Sequence, residues 1–483
     1  MQRNTAQLEA RYHFLQDGQA FDRFHTSFLE DAKLTVIGRG VYDSIYDLGD
    51  AFSKKFSEQE KEKRKFEYKL REVYVDLALP PLSLRLGRQQ VTWGETDNFR
   101  ALDVINPLDL RWHWSREAWE DVRIPLWMAR GIYDIGKIGP LEESFVEAVW
   151  VPWDFQRNKV TTDPRRPWAA IGQGLRARAN SFVNSNNQLF NLQTTILDRK
   201  PDRALESSQA GMRLKGIWRG IDFSLNYYYT FSADTGVKVR RDLAAAQASS
   251  CPPGTVCSVI NLVNPRSHVV GFAANYSEEH YTQSVFRVES AVTTGVPIRL
   301  KSGIPHRFDQ DNNGFDAVRR TVIMLAFDRP SWIRPLNHLR TFFLTGQFFW
   351  RHYLDYNGFF RGTPSVHHAL TDDGQVIHDR FISVNTDKLN QDEFVMTFAA
   401  STSYGPGGLW QPLFVFAFDP ISTGGYNRLS VDYLFSNHII LRLTQDFYWR
   451  IGSHDPGPWS IGDRFGRPGD SRHETILSVI FQF

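Results

Sequence analysis

A segment rich in charged and aromatic side chains between residues 93 and 119 has the composition of a ligand-contacting loop. Its acids and arginines can pair with one another, and its tryptophans can offer an apolar surface. We expect residues 94–120 to fold inward as a constriction or substrate-contact loop, the alternative being a structural loop that latches onto neighbouring strands. The candidate contact residues are Trp93, Glu95, Asp97, Arg100, Arg111, Trp112 and Trp114.

A second acidic stretch, at residues 309–314, matches the first half of an EF-hand calcium loop. Asp309, Asp311 and Asn313 place oxygen ligands at alternate positions, but position twelve is Arg320 instead of a bidentate Glu, so the full motif fails. Because Asp, Asn and Gly are above all turn formers, we expect no metal site here, with calcium binding as the alternative.

Motifs for catalysis and cofactor attachment are missing. The sequence has no nucleophile elbow, no paired-histidine helix and no haem-attachment Cys-x-x-Cys-His. We therefore expect no enzyme and no cofactor. An enzyme whose Ser, His and Asp meet only in space stays open as an alternative, because such a set needs no local motif.

The two cysteines, Cys251 and Cys257, are separated by a short spacer that contains Pro and Gly. Two thiols alone cannot complete a structural zinc site. We expect a disulfide in an exposed loop at 232–266, which indicates an oxidising compartment such as the periplasm or the cell surface.

Composition narrows the class of protein further. The net charge of +2 gives no reason to expect nucleic acid as a partner. No apolar run approaches the roughly 18 to 20 residues of a membrane-spanning helix. Aromatic residues make up 14% of the 483 residues, an excess that suits the two interfacial girdles of a membrane β-barrel.

The last eleven residues have a strand pattern with one apolar face, formed by Leu477, Val479, Phe481 and Phe483. An exposed apolar strand is a liability in water, but in a transmembrane barrel this face meets lipid. Period-2 segments predict seventeen strands, at 4–14, 31–43, 66–78, 81–93, 121–134, 142–152, 204–216, 219–231, 267–276, 281–293, 316–328, 338–352, 391–404, 408–419, 424–436, 438–450 and 473–483.

The polar faces of these strands carry charges of both signs, which a wet lumen tolerates. Mixed signs argue against strong ion selectivity, and pairing across neighbouring strands is the alternative to contact with a substrate. The candidate pore-lining residues on the strands are Arg213, Asp222, Arg287, Glu289, Arg428, Asp432, Arg442, Asp446 and Arg450.

Short links alternate with long polar links along the chain, which is typical of outer-membrane barrels with periplasmic turns and extracellular loops. The fold class is thus predicted as an all-β transmembrane antiparallel barrel of about 16–18 strands, one domain spanning 1–483. Bacterial single-chain barrels have even strand numbers. We therefore expect either one further strand and a leader before Met1, or one wrongly predicted strand.

The hairpin from Glu72 through Trp93 and Glu95, continuing into Asp103-Val104-Ile105-Asn106-Pro107-Leu108-Asp109, resembles the proteobacterial outer-membrane family catalogued as domain of unknown function 1302. The resemblance implies a Gram-negative outer-membrane location amid lipid and lipopolysaccharide. It also implies association with a resistance-nodulation-division transporter and a periplasmic lipid-carrier-like protein.

These observations predict a channel or conduit for hydrophobic or amphiphilic small molecules or lipids. One alternative is a structural sleeve around a partner such as a cytochrome, which would need a wide lumen without a constriction. The other is a lipid-acting barrel enzyme, which would need Ser, His and a carboxylate or carboxamide converging on the wall.

Overall fold

The computed structural model describes residues 2–20, 24–26, 28–48, 57–96, 99–111, 118–159, 181–183, 189–240, 243, 251–253, 255–300, 314–358, 360–361, 365–370, 376–385, 389–421, 423–451 and 473–482. Strands dominate these residues. The helices are short: α1 (Ile45–Leu48), α2 (Glu58–Lys65) and α3 (Trp119–Val122). None of the helices in the described ranges is long and apolar enough to span a bilayer.

Seventeen long strands form the main sheet. Their bounds are β1 (Arg3–Leu15), β4 (Asp31–Asp43), β5 (Phe66–Leu79), β6 (Leu82–Gln89), β7 (Leu126–Ile138), β8 (Leu141–Val151), β11 (Gln209–Trp218), β12 (Ile221–Phe231), β15 (Arg266–Glu278), β16 (Ser284–Leu300), β17 (Phe315–Ser331), β18 (Phe342–Tyr353), β22 (Asp392–Ser401), β23 (Trp410–Asp419), β24 (Gly424–Ser436), β25 (Ile439–Arg450) and β26 (Glu474–Phe481). Each of the seventeen predicted strands corresponds to one of these.

The other described strands lie in the links. Their bounds are β2 (Gln19–Ala20), β3 (Phe24–His25), β9 (Ser181–Val183), β10 (Leu189–Arg199), β13 (Gly236–Val239), β14 (Thr255–Val263), β19 (Phe360–Arg361), β20 (Ser365–Leu370) and β21 (Val376–Asn385). Six of them form a second sheet in the order β13-β14-β10-β9-β21-β20. The region 232–266, expected to be a loop, therefore contains two strands, because β14 pairs with β10 and β13.

The long strands make a meander in which each pairs antiparallel with the next long strand along the chain. One end of the sheet carries tight connections, as between β11 and β12, where Arg219 and Gly220 both have positive φ, at 50° and 79°. This pair of angles suits a two-residue hairpin. The other end carries most of the long links. We call the two ends the short-turn end and the long-loop end.

The burial of the sheet is reversed relative to a water-soluble protein. Large apolar residues are exposed on the outer face, with Leu477 at 75%, Val479 at 50% and Phe481 at 61% on β26, while Glu147, Glu289 and Asp446 on the inner face are no more than 1% exposed. A lipid-facing surface and an enclosed polar interior explain both facts. The predicted fold class, a transmembrane antiparallel β-barrel, is confirmed.

Candidate functional site: the barrel interior

The link between β6 and β7, residues 90–125, is called the inner segment, and its described residues, 90–96, 99–111 and 118–125, lie against the inner face of the sheet. Its entry and exit are joined by Asn106, which is fully buried. The Asn106 Oδ1 accepts the Val91 N–H at 2.8 Å, and its Nδ2 donates to the Ile124 carbonyl at 2.9 Å. This contact explains why β6 ends at Gln89 and β7 begins at Leu126, several residues short of the predicted strands: Val91 and Ile124 bond to Asn106 instead of extending the ladder.

Glu289 on β16 holds the middle of the inner segment. Its carboxylate accepts the backbone N–H of Glu95 and that of Leu102, the latter at 3.2 Å. A carboxylate that receives two N–H groups in a buried site is a strong, directional anchor. The segment is therefore tied to the wall at two points seven residues apart.

Donors from three strands of the wall surround Glu95 of the inner segment. Its carboxylate accepts a hydrogen bond from Asn275 and lies 3.6 Å from the Lys215 ammonium, and its carbonyl accepts from Arg287 at 2.5 Å. Arg287 also pairs with Asp328 at 2.7 Å. Glu95 and Arg287, both predicted from the sequence as pore-contact residues, are thus brought together in one network.

Apolar side chains of the inner segment reach opposite parts of the sheet. Trp93 packs edge-on against Tyr228 of β12, with ring centroids 6.1 Å apart. Phe99 packs edge-on against Phe349 of β18 at 5.4 Å and also joins the cluster formed by Tyr426 and Tyr448. The sheet therefore curves around the segment, which crosses the interior from β12 to β24 and β25.

The returning part of the inner segment is held by arginines. Asp103 pairs with Arg123 at 2.8 Å and with Arg100 at 3.4 Å, and burial lowers the pKa of the Arg100 guanidinium. From the wall, buried Arg71 of β5 donates to the carbonyls of Asp121 and Arg123. These contacts satisfy backbone carbonyls that would otherwise be unpaired in the interior.

Asp109 and Arg111 form a second charged group near the long-loop end. The carboxylate of Asp109 accepts from Arg111 at 2.6 Å and 2.8 Å and from Lys69 at 3.2 Å. Burial opposes ionisation of Asp109, but the Arg111 hydrogen bonds and the nearby cations outweigh it and lower the pKa to about 2. Asp109 is therefore an anion at every physiological pH.

The charges of the barrel wall are largely paired across adjacent strands. Glu147 on β8 pairs with Arg130 of β7 at 2.7 Å and with Arg213 of β11 at 2.5 Å. Other pairs across adjacent strands include Lys215–Asp222 at 2.9 Å, Arg351–Glu393 at 2.6 Å, Arg428–Asp446 at 2.9 Å and Arg442–Asp432 at 2.7 Å. Such pairing is the structural alternative considered above, and it leaves a wall with little net charge.

A cavity of about 1040 Å³ opens at the short-turn end, and we call it the vestibule. On β24, the inward positions of its wall run from Arg428 through Ser430 to Asp432. Tyr426, the next inward position toward the long-loop end, packs against the inner segment through Phe99. The part of the inner segment around Phe99 therefore lies further toward the long-loop end than the vestibule.

Several candidate residues lie outside the described residues: Asp97, Trp112, Trp114, Asp309, Asp311 and Asn313. Arg450 ends β25, and its side chain is not described. A disulfide joins Cys251, in the link before β14, to Cys257 near the start of β14. Within the described ranges, no group of three His, Cys, Asp or Glu side chains is arranged to hold a metal ion.

Sequence reasoning missed the residues that secure the inner segment from a distance. Asn106 stands beside Pro107 in the segment itself and offers a local signal, since an Asn-Pro pair indicates a turn. Arg71 lies on a strand, and nothing local distinguishes it from other charges on the strands.

A curved antiparallel sheet with an apolar outer face and a charged, partly filled interior defines a transmembrane β-barrel of the outer-membrane type. A family model described as "Protein of unknown function (DUF1302)" matches residues 19–433, and the chain belongs to this family. This confirms the resemblance noted in the sequence.

Solved structures with similar strand layouts include OccAB3 and OccAB1 of Acinetobacter baumannii. OccAB3 is 9% identical over 100% of this chain and 98% of its own, with a TM-score of 0.43. OccAB1 is 9% identical over 99% of this chain and 94% of its own, with a TM-score of 0.42. The trimer form of OmpT of Vibrio cholerae is 8% identical over 100% of both chains, with a TM-score of 0.31. No curated protein matches the sequence.

Proposed function

We propose that this protein is an outer-membrane conduit for hydrophobic or amphiphilic small molecules, closed in its middle by the inner segment. The observation that carries the proposal is the vestibule, a cavity of about 1040 Å³ with both polar and apolar lining, with the inner segment packed inside the barrel further toward the long-loop end. A cavity of this size accommodates a small amphiphile. The short-turn end would face the periplasm, as in other barrels of this type.

Lipid and lipopolysaccharide would surround the barrel, and a resistance-nodulation-division transporter with a periplasmic lipid-carrier-like protein would deliver or collect cargo at the short-turn end. The family resemblance suggests these partners. The turns that they would meet present exposed apolar side chains, including Trp332 and Leu339, at the vestibule rim.

Two other functions receive less support. A sleeve around a partner protein needs an open lumen, whereas the inner segment here packs against both β12 and β24. An enzyme of the serine hydrolase type needs a serine beside a histidine, and in the described part of the chain no histidine side chain hydrogen-bonds to a serine. We propose that the protein has no catalytic activity.

Single-channel recording in planar bilayers tests the conduit. The parent protein is compared with a variant in which residues 94–104 are replaced by a short Gly-Ser linker. We expect low conductance in the parent and a large, steady conductance in the variant, because the segment occupies the middle of the lumen. A folded variant that stays silent would contradict the proposal.

A further inference from the structure

The wall of the vestibule carries an ordered row of inward-facing side chains across six consecutive strands of the main sheet. The register pairs Phe343 with Ser401, Ser401 with Leu413, Leu413 with Ser430, Ser430 with Thr444, and Thr444 with Ile476. All six residues line the cavity. Three apolar side chains and three hydroxyl-bearing ones therefore share this row of the wall.

Two of the apolar members are open to the cavity. Phe343 is 50% exposed and Leu413 is 36% exposed, although both lie on the inner face of the barrel. They are separated by two strand spacings, about 10 Å. Exposed apolar surface on an otherwise polar inner wall marks a binding surface for an alkyl group, because water is a poor neighbour for both side chains.

Arg340 lies at the rim of the same cavity, in the link between β17 and β18. Its Nη1 donates to the Ser403 hydroxyl at 2.6 Å. Among the described residues, no carboxylate lies within ion-pair distance of Arg340, whereas Arg428 and Arg442 in the same cavity each pair with an aspartate. Arg340 thus brings a positive charge that the described wall does not neutralise.

The backbone around Arg340 is held firmly. Asn337, which is buried, accepts the N–H groups of Leu339 and Arg340 and donates to Thr402 and to the Ser403 carbonyl. These bonds lock the 332–341 link to the neighbouring 402–409 link. A guanidinium on a fixed backbone, beside a hydroxyl, is a prepared site for an oxyanion.

From this arrangement we propose that the vestibule binds an amphiphile with an oxyanion head group, whose carboxylate or phosphate meets Arg340 and Ser403 while its alkyl chain lies against Phe343 and Leu413. This inference rests on the proposed conduit function and specifies its cargo. The paired arginines of β24 and β25 are weaker partners for the head group, because Asp446 and Asp432 already neutralise their charges.

Photo-crosslinking of the full chain in native-like membranes tests the site. The probe is dodecanoate with a terminal diazirine, and the matched neutral probe is dodecanol with the same group. We expect the acid to label peptides that contain Phe343 or Leu413, and we expect unlabelled dodecanoate or dodecyl phosphate to compete. If only dodecanoate competes, the head group that the site binds is a carboxylate. If only dodecyl phosphate competes, it is a phosphate.

Arg340→Gln should reduce labelling by the acid at least about tenfold, since a charge-assisted hydrogen bond is lost, while labelling by the alcohol stays unchanged. Arg334→Gln is the matched control, because Arg334 is exposed in the same link and does not line the vestibule. Labelling of Arg340→Lys by the acid should lie between that of Arg340→Gln and that of Arg334→Gln, since lysine keeps the charge but lacks the planar guanidinium.

Equal labelling in Arg340→Gln and Arg334→Gln, or equal labelling by acid and alcohol, would overturn the inference. Labelling does not require passage through the barrel. If labelling depends on Arg340 but the linker variant stays silent, the binding site stands and the conduit is contradicted. If the linker variant conducts but labelling does not depend on Arg340, the conduit stands and the binding site is contradicted.

Discussion

Glu289 on β16 accepts the backbone N–H of Leu102 at 3.2 Å, although the two residues are 187 positions apart in the chain. The same carboxylate also accepts the N–H of Glu95. One wall residue therefore holds the inner segment at two positions, seven residues apart, in the middle of the barrel.

Replacing Glu289 should loosen the inner segment without unfolding the barrel. Glu289→Ala leaves two backbone N–H groups without their acceptor, at roughly 1–3 kcal/mol each. We expect a cysteine introduced at Thr96 to react with a water-soluble maleimide at least about tenfold faster in this background. Mass spectrometry of the labelled protein measures the rate.

Glu279→Ala is the control for this experiment, because Glu279 is exposed in a short turn away from the segment. Glu289→Gln keeps one acceptor oxygen and should give an intermediate rate. Unchanged labelling in Glu289→Ala would mean that other contacts, such as the Phe99 cluster, position the segment by themselves.

Asn106 should matter more for overall stability than other asparagines of the chain. Asn106→Ala removes the contacts to Val91 and Ile124 in a fully buried site, for which we expect a loss of about 2–4 kcal/mol. The electrophoretic shift of the heated and unheated protein, followed against temperature, reports the change. Asn4→Ala, at an exposed strand position, should behave like the parent, and an equal loss in both variants would contradict this assignment.

The regular parts of the fold could be predicted because a membrane barrel imposes a period of two on every strand. On β25, Leu443 faces outward and Thr444 inward, and their types alone gave their directions. The position of the inner segment could only be outlined. Trp93 and Glu95 indicate contact by their types, but their partners Tyr228 and Asn275 lie on strands more than a hundred residues away. Arg340 lies in a link, where no alternation of polar and apolar residues predicts the direction of a side chain.

The stability of the folded protein should depend on pH through the ionisation of Asp109 in the inner segment. Its pKa is about 2, lower than the 3.8 of an ordinary aspartate, so the ionised form is favoured in the folded state. Stability from this group is fully present above about pH 4 and is lost as the pH falls from about 4 to about 2. The shift corresponds to on the order of 2 kcal/mol at neutral pH.

Asp109→Asn should therefore lower the melting temperature at pH 7 and flatten its decline between pH 4 and pH 2. Thermal unfolding monitored by tryptophan fluorescence at a series of pH values makes the comparison. Asp202→Asn, at an exposed position, serves as the control. If the Asp109→Asn and parent curves ran parallel through the acid range, the Arg111 contact would not be stabilising.

The cost of placing a charge on the outer face should show at single positions whether lipid or water covers them. Leu443 on β25 is 51% exposed, and if lipid covers it, Leu443→Arg should destabilise the folded barrel by roughly 2–4 kcal/mol. Urea titrations of the protein in phospholipid vesicles measure this difference. Glu279→Arg, at an exposed position outside the strands, should cost far less, because water remains available there. Equal tolerance of arginine at the two positions would contradict a lipid-facing Leu443, because only a position in the hydrocarbon region penalises a charge.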